Sequence, residues 1–214
     1  MTLKLNGSSS GYVAIDAPAA AGSNTLVLPA DNGSNGEFLK TNGSGTLDWS
    51  VAGKILQVVS STKTTASDTG GNLAQNTDWD TGLSVAITPS ATSSKILLTG
   101  HAVVYGHAGG MQIGLRIYSN SGGSNAVITA AQSSDAGSRV AFHSMSSDDW
   151  DNGGHSIAIN WLDSPNTTSA VTYKIYAAHT ATNEWLSINR SKTDADNATY
   201  ARCTSTLNAW EIGA

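Results

Sequence analysis

The sequence predicts an all-β protein, with a short N-terminal β segment over residues 1–52 and an antiparallel β-sandwich, jelly-roll-like, over residues 53–214. Three observations carry that expectation. The composition is poor in helix formers: only 13% of residues are charged and 39% are apolar, while Ser, Thr, Asn and Gly supply about 90 of the 214 residues. From residue 53 onward, apolar and polar residues alternate with period two in run after run. The runs are separated by turn formers, Asn-Gly among them. Six Trp, six Tyr and the regular Val, Ile and Leu positions distinguish the chain from a disordered one.

Residues 1–52 are short apolar pieces between turn clusters. Leu3 and Leu5 alternate with polar neighbours, as do Tyr12 to Ile15 and Leu26 to Leu28 before Pro29. Asn6-Gly7, Asn32-Gly33 and Asn42-Gly43 are hairpin signals. So few large side chains cannot bury a core alone, so this segment needs copies of itself or a larger neighbour. Next, Ile55 to Val59 opens the sandwich. Leu83, Val85 and Ile87 form one inward row, and Met111, Ile113, Leu115 and Ile117 another. Ile157, Ile159 and Trp161 give a third, and Val171, Tyr173, Ile175 and Ala177 a fourth. The last strand runs from about Arg202 to Ile212. One apolar and one polar face per strand fits a two-sheet antiparallel sandwich of roughly eight to ten strands, and a jelly roll is the common closed form at this size. Trp161 and Trp210 fall within strand patterns and are expected in the core.

Several function classes are excluded or disfavoured. A net charge of −5 and a pI of about 5.3 argue against a nucleic-acid partner. No stretch approaches the roughly 18 apolar residues of a membrane helix, so no membrane insertion is expected. The first residues lack a signal-peptide h-region, and folding in a cytoplasm is expected. A single cysteine, Cys203, cannot form an intrachain disulfide or a thiolate zinc cluster and reads as a small residue of a late strand. There is no nucleophile elbow and no phosphate loop. Glu37, Glu184 and Glu211 are the only glutamates, and each reads as a surface or interface carboxylate. The protein is not expected to be an enzyme, and no cofactor or metal is expected.

His101 and His107 fall on one extended face with Val103 and Tyr105, but their separation of roughly 20 Å bars a shared ion. The run Asp148-Asp149-Trp150-Asp151-Asn152-Gly153-Gly154-His155 resembles part of a calcium loop without its terminal bidentate Glu. It reads as a solvated Gly-hinged loop, a ligand-contacting loop or a cation loop. Sugar recognition needs an exposed aromatic face beside short polar groups. Trp150 with Asp149, Asp151, Asn152 and His155 is the first candidate set. The loop with Tyr118, Asn120 and Asn125 is the second.

Gly33-x-x-Gly36-Glu37-Phe38-Leu39-x-Thr41-Asn42-Gly43-x-Gly45-x-Leu47-x-Trp49 resembles a motif widespread in bacteriophage tail fibres, with Glu37 where Gln is usual. Ile15-Asp16-Ala17-Pro18 and Leu26-Val27-Leu28-Pro29 are similar to fibre sequence as well. Gly53-Lys54-Ile55-Leu56-Gln57-Val58-Val59 resembles the opening of C-terminal fibre domains of marine and cyanobacterial phages. Asp80-Thr81-Gly82, Thr88-Pro89-Ser90, Ser94-Lys95-Ile96-Leu97, Asp163-Ser164-Pro165, Ile188-Asn189-Arg190-Ser191 and Glu211-Ile212 continue the resemblance, which is weakest over about 100–160. It implies a homotrimeric virion protein at the tail, attached to other virion proteins through residues 1–52 and contacting a host surface glycan or protein. The alternative is a capsid decoration or head-fibre protein.

Overall fold

The structure is a computed structural model and describes residues 3–20, 22–51, 55–107, 110–147 and 154–213. The chain forms two compact units, Met1–Gly53 and Lys54–Ala214.

The first unit consists of two hairpins. Strands β1 (Leu3–Asn6) and β2 (Tyr12–Ile15) pair antiparallel, as do β3 (Glu37–Thr41) and β4 (Leu47–Val51). The glycines of the motif fit this geometry. Gly33 has φ +65°, and a Cβ there would lie 2.6 Å from the Trp49 ring, so the indole packs directly on bare backbone. The indole N–H donates to the Asp31 carbonyl at 3.0 Å. No described residue of this unit whose side chain is placed is buried. Leu5, Val13, Ile15, Leu26 and Leu28 are each more than half exposed.

The second unit is a β-sandwich. Its long strands are β5 (Ile55–Lys63), β7 (Trp79–Ile87), β8 (Lys95–Gly106), β9 (Gln112–Ser119), β12 (His155–Asp163), β13 (Val171–His179) and β15 (Ser205–Ile212). Shorter ones are β6 (Ser67–Asp68), β10 (Ala126–Val127), β11 (Ser144–Ser147) and β14 (Leu186–Ile188). One sheet runs β5-β15-β8-β12, and β14 and β6 continue it at the far end of β8. The other runs β7-β13-β9-β11, with β10 beside β11 on the same edge of β9. The chain crosses repeatedly between the sheets, and the first strand pairs with the last, which is jelly-roll order. Every pairing is antiparallel. Among the described residues the only helical element is the 3-10 turn Thr129–Ala131.

The alternation read from the sequence supplies the core. Leu83, Ile96, Leu98, Ile113, Leu115, Ile175 and Leu207 are all fully buried between the sheets. Each contributes about 1.5–3 kcal/mol relative to exposure. The contiguous core contains residues 83 to 209 and none from the first unit. A chain starting at residue 54 is therefore expected to keep a β-type circular dichroism spectrum and melt in one transition. Aggregation on removal of residues 1–53 would show that the core needs them.

Four expectations are corrected. Trp210 is not in the core: on β15 the odd positions are buried, so its even position faces outward, and its Nε1 donates to Thr99 at 2.8 Å. Cys203 lies two residues before β15, half-buried, with its sulfur 3.8 Å from the Tyr105 hydroxyl. His107 lies just past the end of β8, so it does not share a strand face with His101. Glu211 is wholly buried rather than at a surface. Its carboxylate accepts from the Ser90 backbone N–H and hydroxyl (2.6 Å each), from the Ser94 hydroxyl (2.7 Å) and from Gln57 Nε2 (2.6 Å). Gln57 also donates to the Thr88 carbonyl at 2.6 Å. This clasp ties β5 and β15 to the loop between β7 and β8.

Candidate recognition surfaces

On β9 and β13 the even positions face away from the core. Register places Lys174 beside Tyr118, and Tyr176 beside Arg116. The Tyr118 and Tyr176 rings meet with centroids 4.0 Å apart, tilted by 31°. Asn125 donates to the Tyr176 hydroxyl at 3.1 Å. Both Arg116 and the Tyr118 hydroxyl donate to Asp78, and Arg116 also donates to the Ala141 carbonyl at 2.9 Å. Lys174 pairs with Asp80 at 2.9 Å.

The electrostatics follow from these contacts. Burial and the bond to Asp78 push the Tyr118 phenol up to about 12. Burial of Asp80 acts to raise its carboxyl, but the Lys174 and Gly82 hydrogen bonds outweigh it and hold it below its usual value. The hydrogen bond to Asp80 in turn raises the Lys174 ammonium. The result is a half-exposed aromatic pair rimmed by two carboxylates, an ammonium and an amide. Such a set can stack on a pyranose and hydrogen-bond its hydroxyls.

Tyr118 and Asn120 are therefore not free loop groups. Tyr118 sits within β9, and the Asn120 side chain accepts from the Thr172 N–H at 2.7 Å, which commits it to holding β13. Asn125 is exposed. Tyr176, Asp78 and Lys174 were not singled out from the sequence. Period two puts Tyr176 and Lys174 on an outward face, but only the β9–β13 register shows that they meet Tyr118.

Of the first candidate set, Asp149, Trp150, Asp151 and Asn152 lie outside the described residues. His155 opens β12, half-buried, with Nδ1 3.0 Å from the Ser146 hydroxyl. His155, bonded to Ser146, lies toward the opposite end of β9 from the second set. Ser147 pairs with Gln112 at one end of β9, and Ala126 pairs with Ser119 at the other. Gln112 and Ser119 are seven residue steps apart along β9, roughly 23 Å.

The His155 end collects further groups. His107 stacks on Trp185 with centroids 5.7 Å apart, and its Nε2 lies 3.1 Å from the Ser187 hydroxyl. Burial, then the Arg190 and Lys192 cations, lower the His107 pKa below its ordinary value. Arg190 bridges Asp68 and Asp194, and Arg202 also reaches Asp194. A polar cleft of about 240 Å3 lies beside Asp194, Asn197, Tyr200 and Arg202. The β13–β14 and β14–β15 connections also start at this end. Among the described residues no three His, Cys, Asp or Glu side chains gather as metal ligands.

No family model matches the chain, and no curated protein matches it. Among solved structures it is similar to the crystal structure of the infectious bursal disease virus VP2 subviral particle, with a TM-score of 0.37 and 12% identity over 97% of this chain and 45% of that one. A structure of infectious bursal disease virus, Gt strain, gives a TM-score of 0.35 and 13% identity over 98% of this chain and 46% of that one. The chain thus spans less than half the length of these proteins. Likeness at this level carries no functional argument.

Proposed function

We propose that the chain is a virion structural protein of the tail-fibre type, a homotrimer located at the tail. Residues 1–52 attach it to other virion proteins, and the sandwich presents its loops to a host surface glycan or protein. The reading rests on the fibre-like motif from Gly33 to Trp49 and above all on one structural observation. The unit that carries the motif buries none of its described, placed side chains, and Leu3, Leu5, Tyr12, Val13, Ile15, Leu26, Val27 and Leu28 are all more than half exposed. Ordered strands with no interior of their own fit a shaft completed by identical neighbours. Light scattering of the purified chain is expected to give roughly three times its mass of 22.0 kDa. A monodisperse monomer with residues 3–51 ordered would remove this reading.

Position on the virion separates attachment from capsid decoration. Antibodies against the chain are expected to label tails in electron micrographs, and label on capsids would favour decoration. Trp150 remains the first residue to test for adsorption, because a stacked aromatic contact contributes roughly 0.5–1.5 kcal/mol and several copies per virion multiply it. Trp150→Ala is expected to lower host adsorption with little change in melting temperature. Loss of folding would instead make Trp150 a core residue.

A further inference from the structure

We infer that an apolar band on the outer face of the β5-β15-β8-β12 sheet is the surface through which the sandwich domains of neighbouring copies of this chain pack against each other. This deepens the homotrimer reading and rests on it.

The band is a consequence of register. Val58 pairs with Trp210, Trp210 with Leu97, and Leu97 with Leu162, so four apolar side chains stand side by side across four strands. All four occupy outward positions. Val58 and Leu162 are 48% and 45% exposed, while Leu97 and Trp210 are half-buried. Leu56, 38% exposed, and Ile212 extend the band on β5 and β15 by one row toward the start of β5, and on β8 that row ends the band at the exposed Lys95. The next row in the opposite direction is wholly polar: Ser60, Asn208, Thr99 and Asn160, again in register. The row after that is Thr62, Thr206, His101 and Ala158. The solvated face of an antiparallel sheet is normally polar along its whole length. Here it is polar over one part and apolar over the other, and a contiguous apolar patch of this kind marks an interaction surface.

Position and charge name the occupant. The band begins at Leu56, directly after the unit whose exposed strands are the proposed trimer shaft. Any association of residues 1–51 holds the first residues of β5 in different copies at a high effective concentration, so a contact there needs little affinity of its own. The copies carry a net charge of −5 each and repel one another. The row Val58, Trp210, Leu97 and Leu162 bears no charge, so like-charged copies can touch there without opposing ions.

The test uses the full-length chain. Val58→Asp and Leu162→Asp are compared with Ser60→Asp and Asn160→Asp, one row away on the same face, by light scattering over a dilution series. Circular dichroism confirms the fold of each. In parallel, Leu162→Cys and Asn160→Cys, each combined with Cys203→Ser, are labelled with a thiol reagent. The inference expects a trimeric wild type, loss of mass or dissociation on dilution for the two band variants only, and labelling at position 162 at least about tenfold slower than at 160. Band variants that stay trimeric, together with equal labelling rates, would overturn this interface and leave the trimer standing. A monomeric wild type would remove both readings. Protection of position 162 in that monomer would mean that the chain's own N-terminal unit covers the band, which also overturns the inference.

Discussion

Gly100→Ala is expected to destabilise the sandwich by more than about 3 kcal/mol, a large part of the 5–15 kcal/mol that holds a domain of this kind folded. Gly100 lies in β8 between Ile159 of β12 and Leu207 of β15. A Cβ there would stand 2.0 Å from the Thr206 carbonyl oxygen and 3.1 Å from the Leu207 Cα. A side chain in the way could rotate, but these are backbone atoms of the neighbouring strand. Relief requires β15 to move away from β8, which breaks the ladder between them. Gly122→Ala is the control, since a Cβ there meets nothing within 4 Å and the backbone is not left-handed. Urea melts of both variants check the claim. A Gly100→Ala midpoint close to wild type would show that the β8–β15 spacing can yield.

The second large effect belongs to Glu211. Glu211→Ala is expected to cost about 3–5 kcal/mol, because it leaves the Ser90, Ser94 and Gln57 donors buried around an empty acceptor site. The carboxyl also makes the fold acid-sensitive. Its burial acts to raise the pKa, but the hydrogen bonds from Ser90, Gln57 and Ser94 prevail and lower it from 4.5 to about 2. A depressed carboxylate stabilises the fold fully above its unfolded value, and that contribution is lost as pH falls from about 4.5 toward about 2. Glu211→Gln is therefore expected to be less stable than wild type at neutral pH, with the difference shrinking across that window. Asp80 and Asp194 are also lowered, so the readout is the difference between wild type and variant rather than either curve alone. A constant difference from pH 6 to pH 2.5 would mean that Glu211 does not titrate with folding.

Strand positions were legible because burial on one face leaves a period-two record. Leu83, Val85 and Ile87, or Ile113, Leu115 and Ile117, announce both a strand and its inward side. The record is silent on what the outward side meets. Trp210 has the size and setting of a core residue, and only its parity with Leu207 and Ala209 turns it outward. Glu211 carries the opposite signal, a charge at an inward position, and its partners lie 117, 121 and 154 residues away in sequence. No local pattern can supply such pairings. The Tyr118–Tyr176 pair escaped for the same reason, since each residue alone is an ordinary polar-face tyrosine. Gln57, Ser90, Ser94 and Glu211 come from four separate stretches of the chain and meet in one buried clasp.

The pairing of β5 with β15 also shapes how the chain can fold. About 150 residues separate these two neighbours in the sheet. At ordinary rates of synthesis, roughly 10–30 s pass between the emergence of the first strand and that of its partner. Until then β5 has no edge to pair with, and β8 lacks β15 on one side. Closure is thus a late, non-local event, which makes folding slow compared with a chain of successive hairpins. A ribosome that stops before Ser205 would release a chain with two long strand edges unpaired and the apolar inner rows of both sheets uncovered, a species prone to aggregate rather than one that is merely shorter.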